Sequence, residues 1–323
     1  MKFIITVDTE ADNQWKKKDV SLENVLCLPK FQEKCEQYGF LPTYLITYEV
    51  AADSRAVEIL NTWRKSGRAE IGAHLHPWTN PPFIEGEDPK EQIFPSELPQ
   101  EQLWNKLKRL TEIIEEKFGQ APTSFRAGRF GFNSQLAELL LRLGYLVDCS
   151  VTPKTSWTET QGKLNGFGGP DFRLAPLRPY FLSLSDVCQM GDSQLLEIPL
   201  SIIYTGLFRE GSLFGRKFAL MNKSFLNSVI NRLLFKKKWL RIFPESKEKD
   251  WRAIYKAAKN NNLPVLEFMI HSSELLPGGS PYSRTEQMTE NIFKQIDLMF
   301  GYFQKMGLEP ATLASFYKEY KNV

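Results

Sequence analysis

The sequence predicts an α/β fold in which a parallel sheet, curled toward a barrel, is covered by helices. Two patterns predict it. Short, strand-length apolar runs recur along the chain, and amphipathic helical stretches lie between them. Such strand–helix–strand alternation belongs to parallel sheets. A third observation places the chemistry. Asp8, His74, Arg126 and His271 each come at or just after the end of such a run. That is the edge at which barrels of this class gather their functional groups.

The elements follow in order. Phe3–Val7 is β-branched and aromatic and is stopped by Asp8. Pro42–Thr47, Ala69–His74, Leu146–Ser150, Leu195–Pro199 and Val265–His271 have the same character. Gln102–Phe118 reads as a helix, with Leu103, Leu107, Leu110, Ile114 and Phe118 on one stripe. Ser134–Leu143 is a second helix, and Gly144 is its stop. Residues 211–243 differ: they hold eight Lys or Arg and no Asp or Glu. We read 205–250 as a basic, helical insertion within a single domain spanning 1–323. Lys236–Lys238 beside Phe235, Trp239 and Phe243 would suit an anionic membrane surface, with the rings at the interface. A helix pair with a basic outer face is the alternative.

Composition narrows the class. The chain has 323 residues, enough for one large domain with a substantial core. A net charge of +3 is too small to imply nucleic acid. Cys27, Cys35, Cys149 and Cys188 form no CxxC pair, so a reduced, cytoplasmic setting is expected. The first apolar run is too short for a secretory signal. No run reaches the roughly 18 apolar residues of a membrane-spanning helix.

The chain has three histidines, all in segments with chemical character. His74 and His76 stand at i and i+2 in EIGAHLHPW, and Asp8 and Glu10 at i and i+2 in TVDTEAD. On an extended strand end such pairs point the same way. Imidazoles with a carboxylate are the usual ligands of zinc and similar ions, and a second carboxylate suits a general base. A strand running into a turn would also carry acids, and a buried histidine is often structural. His271, before SSELLPGG, is weak evidence alone. In SFRAGRFGFN, Arg126 or Arg129 could hold a carboxylate in a charge-assisted fork. The TNPPF segment reads as a loop shaping the rim.

Taken together, TVDTE, EIGAHLHPW, SFRAGRF and the late FMIH resemble the polysaccharide deacetylase (NodB-homology) family, in a subgroup with D-x-E and HxHPW. The resemblance covers most of Met1–Val151 and returns near Leu263–Tyr282. It implies a distorted (β/α) barrel of about seven parallel strands. It also implies a hydrolase that removes an acetyl group, N-acetyl first, from a sugar or envelope glycan precursor with a divalent metal, zinc foremost. By the same resemblance Asp8 is the catalytic base, Glu10 and His74 are metal ligands, Arg126 orients the base and His271 is the acid. The family's second histidine usually comes four residues after the first. That position is Trp78 here, so the ligand role passes to His76. Asp148 is the candidate for the aspartate that tunes the acid. The alternatives are a non-haem iron oxygenase, another metal-dependent amide or glycoside hydrolase on a related barrel, and a non-catalytic carbohydrate-binding relative.

Overall fold

In the first strand Phe3, Ile4, Ile5 and Val7 are all fully buried, which requires cover on both faces, as at the centre of a parallel sheet. The computed structural model supplies that cover. It describes residues 1–12, 14, 20–83, 92–207, 217, 220 and 229–322. Its strands are β1 (Lys2–Thr9), β2 (Pro42–Ile46), β3 (Glu70–Leu75), β4 (Ser124–Ala127), β5 (Val147–Asp148), β6 (Tyr180–Phe181), β7 (Leu196–Glu197), β8 (Ile202–Tyr204), β9 (Lys237–Trp239), β10 (Val265–His271) and β11 (Glu309–Ala311). The main sheet runs β10-β1-β2-β3-β4-β5-β7-β6, with β11 added on β1. Every pairing from β10 through to β7 is parallel, so seven strands form the parallel path. β6 is antiparallel to β7.

β7 and β10 do not pair. The backbone between them is bridged by Ser201 and Leu240. Leu240 N–H donates to Ser201 O (2.9 Å), Met269 N–H donates to Leu240 O (3.4 Å), and Glu267 N–H donates to Ser201 Oγ (2.9 Å). The sheet is therefore a distorted (β/α) barrel, as the motifs imply.

Strand alternation decides what each face carries. One face of β1 puts Phe3, Ile5 and Val7 against the helices, in a core shared with Leu103, Leu107 and Phe300. The other carries Ile4, Thr6 and Asp8. Ile4 joins Val265, Leu196 and the C-terminal helix residues Leu313 and Phe316. Thr6 Oγ1 donates to Glu267 (3.0 Å). Apolar at one end and polar toward the strand ends, this face leads to the site.

The expected helices form with small boundary shifts, at Gln100–Phe118 and Ser134–Arg142. The Asn133 side chain caps the second by accepting from Leu136 N–H, and Gly144 lies just beyond its end at φ +83°. The basic insertion is described only in part. Of its described residues, Asn231–Phe235 is helical and Lys237–Trp239 is a strand, antiparallel to Ile202–Tyr204. Phe235 is buried against Tyr204, ring centroids 5.1 Å apart, and so is not free for a membrane interface. Lys238 pairs with Asp250 (2.8 Å). The membrane expectation for the rest of 211–243 falls largely on residues outside the described ones. No helix among the described residues is long and apolar enough to cross a membrane.

Phe3 sits in an aromatic cluster, its ring centroid 4.8 Å from Phe40, 5.0 Å from Phe303 and 5.8 Å from Phe300. Phe3→Ala empties the contact between β1 and the helix Glu286–Lys305. The expected cost is about 3–5 kcal/mol, read as a lower urea midpoint. A loss below about 1 kcal/mol would mean that the cluster closes over the gap.

Candidate active site

Parallel register brings the predicted residues to one level. His74 is paired with Arg126 across β3 and β4, and Asp8 with His271 across β1 and β10. Glu10 lies one residue past β1. Its backbone is pinned there: Glu10 N–H donates to Ser272 Oγ (3.1 Å), and Asn24 Nδ2 donates to Glu10 O (2.7 Å). Thr9 turns back, its hydroxyl donating to Val7 O (3.0 Å). Asp8 and Glu10 thus share one cleft, as their spacing predicts.

Glu10, His74 and His76 offer ligand atoms that all lie within 4.8 Å of one another, and all three residues are buried. His76 Nε2 is 3.1 Å and His74 Nε2 3.8 Å from Glu10 Oε2. His74 Nδ1 lies 3.0 Å from the carbonyl of Arg126, which can only accept. The proton is therefore on Nδ1, and Nε2 presents a lone pair to the cleft. Burial lowers the His74 pKa to about 4 and that of His76 well below its ordinary value, so both rings are neutral at pH 7. Burial, then the nearby Asp8 charge, pushes Glu10 well up. Two lone pairs and a carboxylate converge out of water, with no cation between them among the described residues. This donor set fits a divalent metal, and the fit rests on the chemistry of the three groups.

His76 owes its position to two contacts. Its ring stacks on Trp78, centroids 4.3 Å apart. Gly128 also abuts it, since an added Cβ there would fall 2.4 Å from His76 Cδ2 and 2.5 Å from Leu75 O.

Arg126 is fully buried. Its Nη1 donates to Asp8 Oδ1 (2.5 Å), its Nη2 to Glu267 and its Nε to Cys149 O (3.0 Å). Burial favours the neutral carboxyl of Asp8, but Arg126, His74 and His271 outweigh it, and the Asp8 pKa is lowered. Glu267 shares the same guanidinium, yet burial raises its pKa to about 7. One cation cannot fully serve two buried carboxylates: Asp8 keeps the charge, and Glu267 is shifted toward its protonated form. Arg129 goes elsewhere, donating to the carbonyls of Gln92 and Gln161 (2.8 Å to the latter) with its guanidinium over Phe94.

His271 Nε2 faces Asp8 Oδ2 at 3.8 Å. Its Nδ1 lies 2.8 Å from Glu274 Oε1, which Arg241 also holds. Glu274 is thus the carboxylate beside the acid candidate, and Asp148 is not. Asp148 accepts instead from Ser150 (2.8 Å to Oγ) and is paired with the buried Glu197 of β7. Glu274 follows His271 by three residues, a signal the sequence did offer. Arg241 was hidden among the insertion's basic residues. Trp239 and Phe243, expected at a membrane surface, instead line the cleft with Phe130, Trp157 and Tyr282. The cleft encloses about 370 Å³. Trp157 stacks on Phe130 at 5.4 Å, and Arg241 lies over Tyr282 at 5.0 Å.

No protein-family model matches the chain, and no curated protein matches it in sequence. Solved structures do. A protein from Parabacteroides distasonis, named for the glycoside hydrolase/deacetylase class, aligns over 99% of this chain and 71% of its own, with 13% identity and a TM-score of 0.61. The 4-alpha-glucanotransferase of Thermococcus litoralis aligns over 99% of this chain and 40% of its own, with 11% identity and a TM-score of 0.54. The GH57-type branching enzyme of Pyrococcus horikoshii aligns over 99% and 70%, with 10% identity and a TM-score of 0.51. At these identities the likeness establishes the fold. It is the distorted barrel implied by the motif resemblance to the polysaccharide deacetylases.

Two predictions follow from this geometry. Gly128→Ala drives a methyl into the His76 ring and the Leu75 carbonyl, so zinc affinity should fall roughly 10-fold or more, the scale seen when a ligand's support is lost. Calorimetric titration checks this, and unchanged affinity would separate His76 from the metal. The second concerns Glu267. Its folded pKa near 7 lies above the ordinary 4.5, so its stabilising proton is fully present below pH 4.5 and lost as pH rises through 7. Glu267→Gln, which cannot ionise, should flatten the fall in urea midpoint between pH 5 and 8 in metal-free protein. An identical fall in the variant would put that proton on another group.

Proposed function

We propose that this protein is a metal-dependent deacetylase that removes an N-acetyl group from a sugar or glycan. One observation carries the reading: Asp8 and His271 stand 3.8 Å apart beside the Glu10–His74–His76 cluster, on the floor of an aromatic-lined cleft. The fold supports it, since the Parabacteroides neighbour's name includes deacetylase.

The residues divide the work. Glu10, His74 and His76 would hold the ion, which when bound polarises a carbonyl and acidifies water. Asp8, ionised and aimed by Arg126, takes the proton of the attacking water. The water oxygen bonds to the acetyl carbon, and the C–N bond breaks. His271, with Nδ1–H on Glu274, gives the proton on Nε2 to the departing nitrogen, because an amide anion is a very poor leaving group. Acetate and an amino sugar result. The aromatic walls suit the apolar faces of sugar rings. Zinc is the first choice of metal, and a glycan precursor of the envelope in a cytoplasmic setting is the substrate class we favour.

The fold is shared with enzymes named for glucan transfer and branching, so glycoside chemistry is the second reading. Glycoside cleavage needs one carboxyl held protonated as acid and another free as nucleophile or base. Without a cation, Asp8 held charged by Arg126 and Glu10 raised by burial would meet that demand, but Glu10 Oε2 is placed 3.1 and 3.8 Å from the Nε2 atoms of two neutral imidazoles. The carboxylates are arranged for a cation, not for an acetal oxygen.

Acetate release from N-acetylglucosamine oligomers by the zinc-loaded protein tests the function. Asp8→Asn should retain zinc and lose about 10²–10⁴-fold in rate, since an amide fills the space without accepting a proton. Full activity of that variant would make Asp8 structural. His271→Ala should cripple amide cleavage but spare p-nitrophenyl acetate, whose nitrophenolate leaves without a proton. Equal loss on both substrates would remove His271 from the acid role.

A further inference from the structure

The two histidines of the metal cluster are held in different ways. His74 Nδ1 is fixed by the carbonyl of Arg126 at 3.0 Å. His76 Nδ1 is buried and, among the described residues, has no hydrogen-bond partner. A ligating imidazole is ordinarily aimed by a hydrogen bond from its second nitrogen. For His76 the aim must come from packing, and its ring stacks on Trp78 at 4.3 Å with 24° between the planes. A stack aims a ligand only where the stacking ring is itself fixed.

Trp78 is half-buried, and its Nε1–H donates to Gln14 Oε1 (3.2 Å). An indole nitrogen can only donate, so the oxygen of the Gln14 amide faces it and the nitrogen faces away. That nitrogen, Nε2, donates to Glu49 Oε1 (3.4 Å), in the turn of helix directly after β2. Burial raises the Glu49 pKa; its own backbone N–H, the hydroxyls of Thr47 and Thr79 and the Ala11 N–H oppose that. Thr79 follows Trp78 and Ala11 follows Glu10, so one carboxylate answers both turns that carry cluster ligands. The backbone of Gln14 is held from a third side: Gln92 Nε2 donates to Gln14 O (3.3 Å), and Arg129 donates to Gln92 O. Gln14 itself is 7% exposed and lines the cleft. Segments following β1, β2, β3 and β4 therefore meet at one glutamine.

We propose that Gln14 is a positioning residue of the metal centre: through the Trp78 N–H it holds the indole against His76, and so keeps the Nε2 of that ligand 3.1 Å from Glu10. The assignment rests on the metal centre of the deacetylase reading, and not on the reaction. A glutamine that only braced its own loop would do so whichever ring stood beside it. Here the effect on the ion runs through a single hydrogen bond, so it disappears with that bond. It is also selective, because His74 is aimed by the Arg126 carbonyl and is indifferent to Gln14. Arg129 gains a place in the same arrangement, supporting the backbone of Gln14 through Gln92.

A double-mutant cycle on zinc affinity tests the bond. Gln14→Leu removes the acceptor, and Trp78→Phe removes the N–H while keeping an aromatic ring on His76. Each should weaken zinc roughly 10-fold in calorimetric titration, the scale seen when a ligand's support is lost. The double variant should bind within about 2-fold of the weaker single one, since both changes remove the same bond. Wild-type zinc affinity in Gln14→Leu overturns the assignment, and so do losses that multiply in the double variant. Where Gln14→Leu does not fold, Gln14→Met takes its place in the cycle. Cobalt gives a second readout that a loosened loop alone would not move. The visible absorption bands of the bound cobalt ion should change in Gln14→Leu, because one ligand is re-aimed, and unchanged bands overturn the aiming of His76. A wild-type protein that binds neither zinc nor cobalt overturns the assignment together with the metal centre. Coupled losses of zinc affinity, with no acetate released from any glycan, uphold it and reject the deacetylase reading instead.

Discussion

The Arg126 guanidinium is the interaction on which the site depends. It is fully buried, and its donors reach β1 at Asp8, β10 at Glu267 and the backbone just after β5 at Cys149. Its own carbonyl accepts from His74. One residue of a four-residue strand therefore sets the charge of the base candidate, ties neighbouring strands together and selects the tautomer of a metal-ligand candidate. A buried arginine is tolerated only where its charge is matched and its N–H groups are occupied. Here the matching uses two carboxylates, and burial shifts Glu267, not Asp8, toward the protonated form.

That division of charge runs through the cleft. Asp8 is held ionised, Glu10 is raised until a cation arrives, and the two imidazoles are kept neutral by burial. The same dry environment that disfavours an uncompensated Glu10 makes the three-donor cluster a strong attractor for a divalent ion. Glu274 and Arg241 form the matching pair behind His271, so acid and base candidates each stand on their own buried ion pair. The first pair is built from the barrel strands. The second borrows its arginine from the insertion.

The insertion is therefore part of the site rather than an appendage. Its hairpin fills the place where β7 and β10 fail to pair, and Leu240 takes a backbone bond from β10. With that strand fixed, Trp239, Arg241 and Phe243 become a wall of the active-site cleft. Its positive charge is spent partly inward, on Glu274 and Asp250, where a surface reading of the same lysines and arginines had placed it outward.

The main strands, the helices Gln100–Phe118 and Ser134–Arg142 and the candidate ligands were legible because each rests on short-range physics. Alternation and 3.6-residue periodicity mark elements, and the i, i+2 spacing of Asp8 with Glu10 and of His74 with His76 fixes which side chains share a face. Glu274 was visible three residues after His271 but could not be told from an ordinary helix-start acid. Arg241 and Glu267 were not legible at all. Their roles arise from neighbours 30 to 260 residues away, and nothing local distinguishes Arg241 from the other basic residues around it. The sequence by itself determined the barrel's main strands, two of its helices and the chemical types at the strand ends. Only the tertiary structure decided which buried charge faces which, because burial and parallel register, not residue type, set who keeps the proton and who holds the charge.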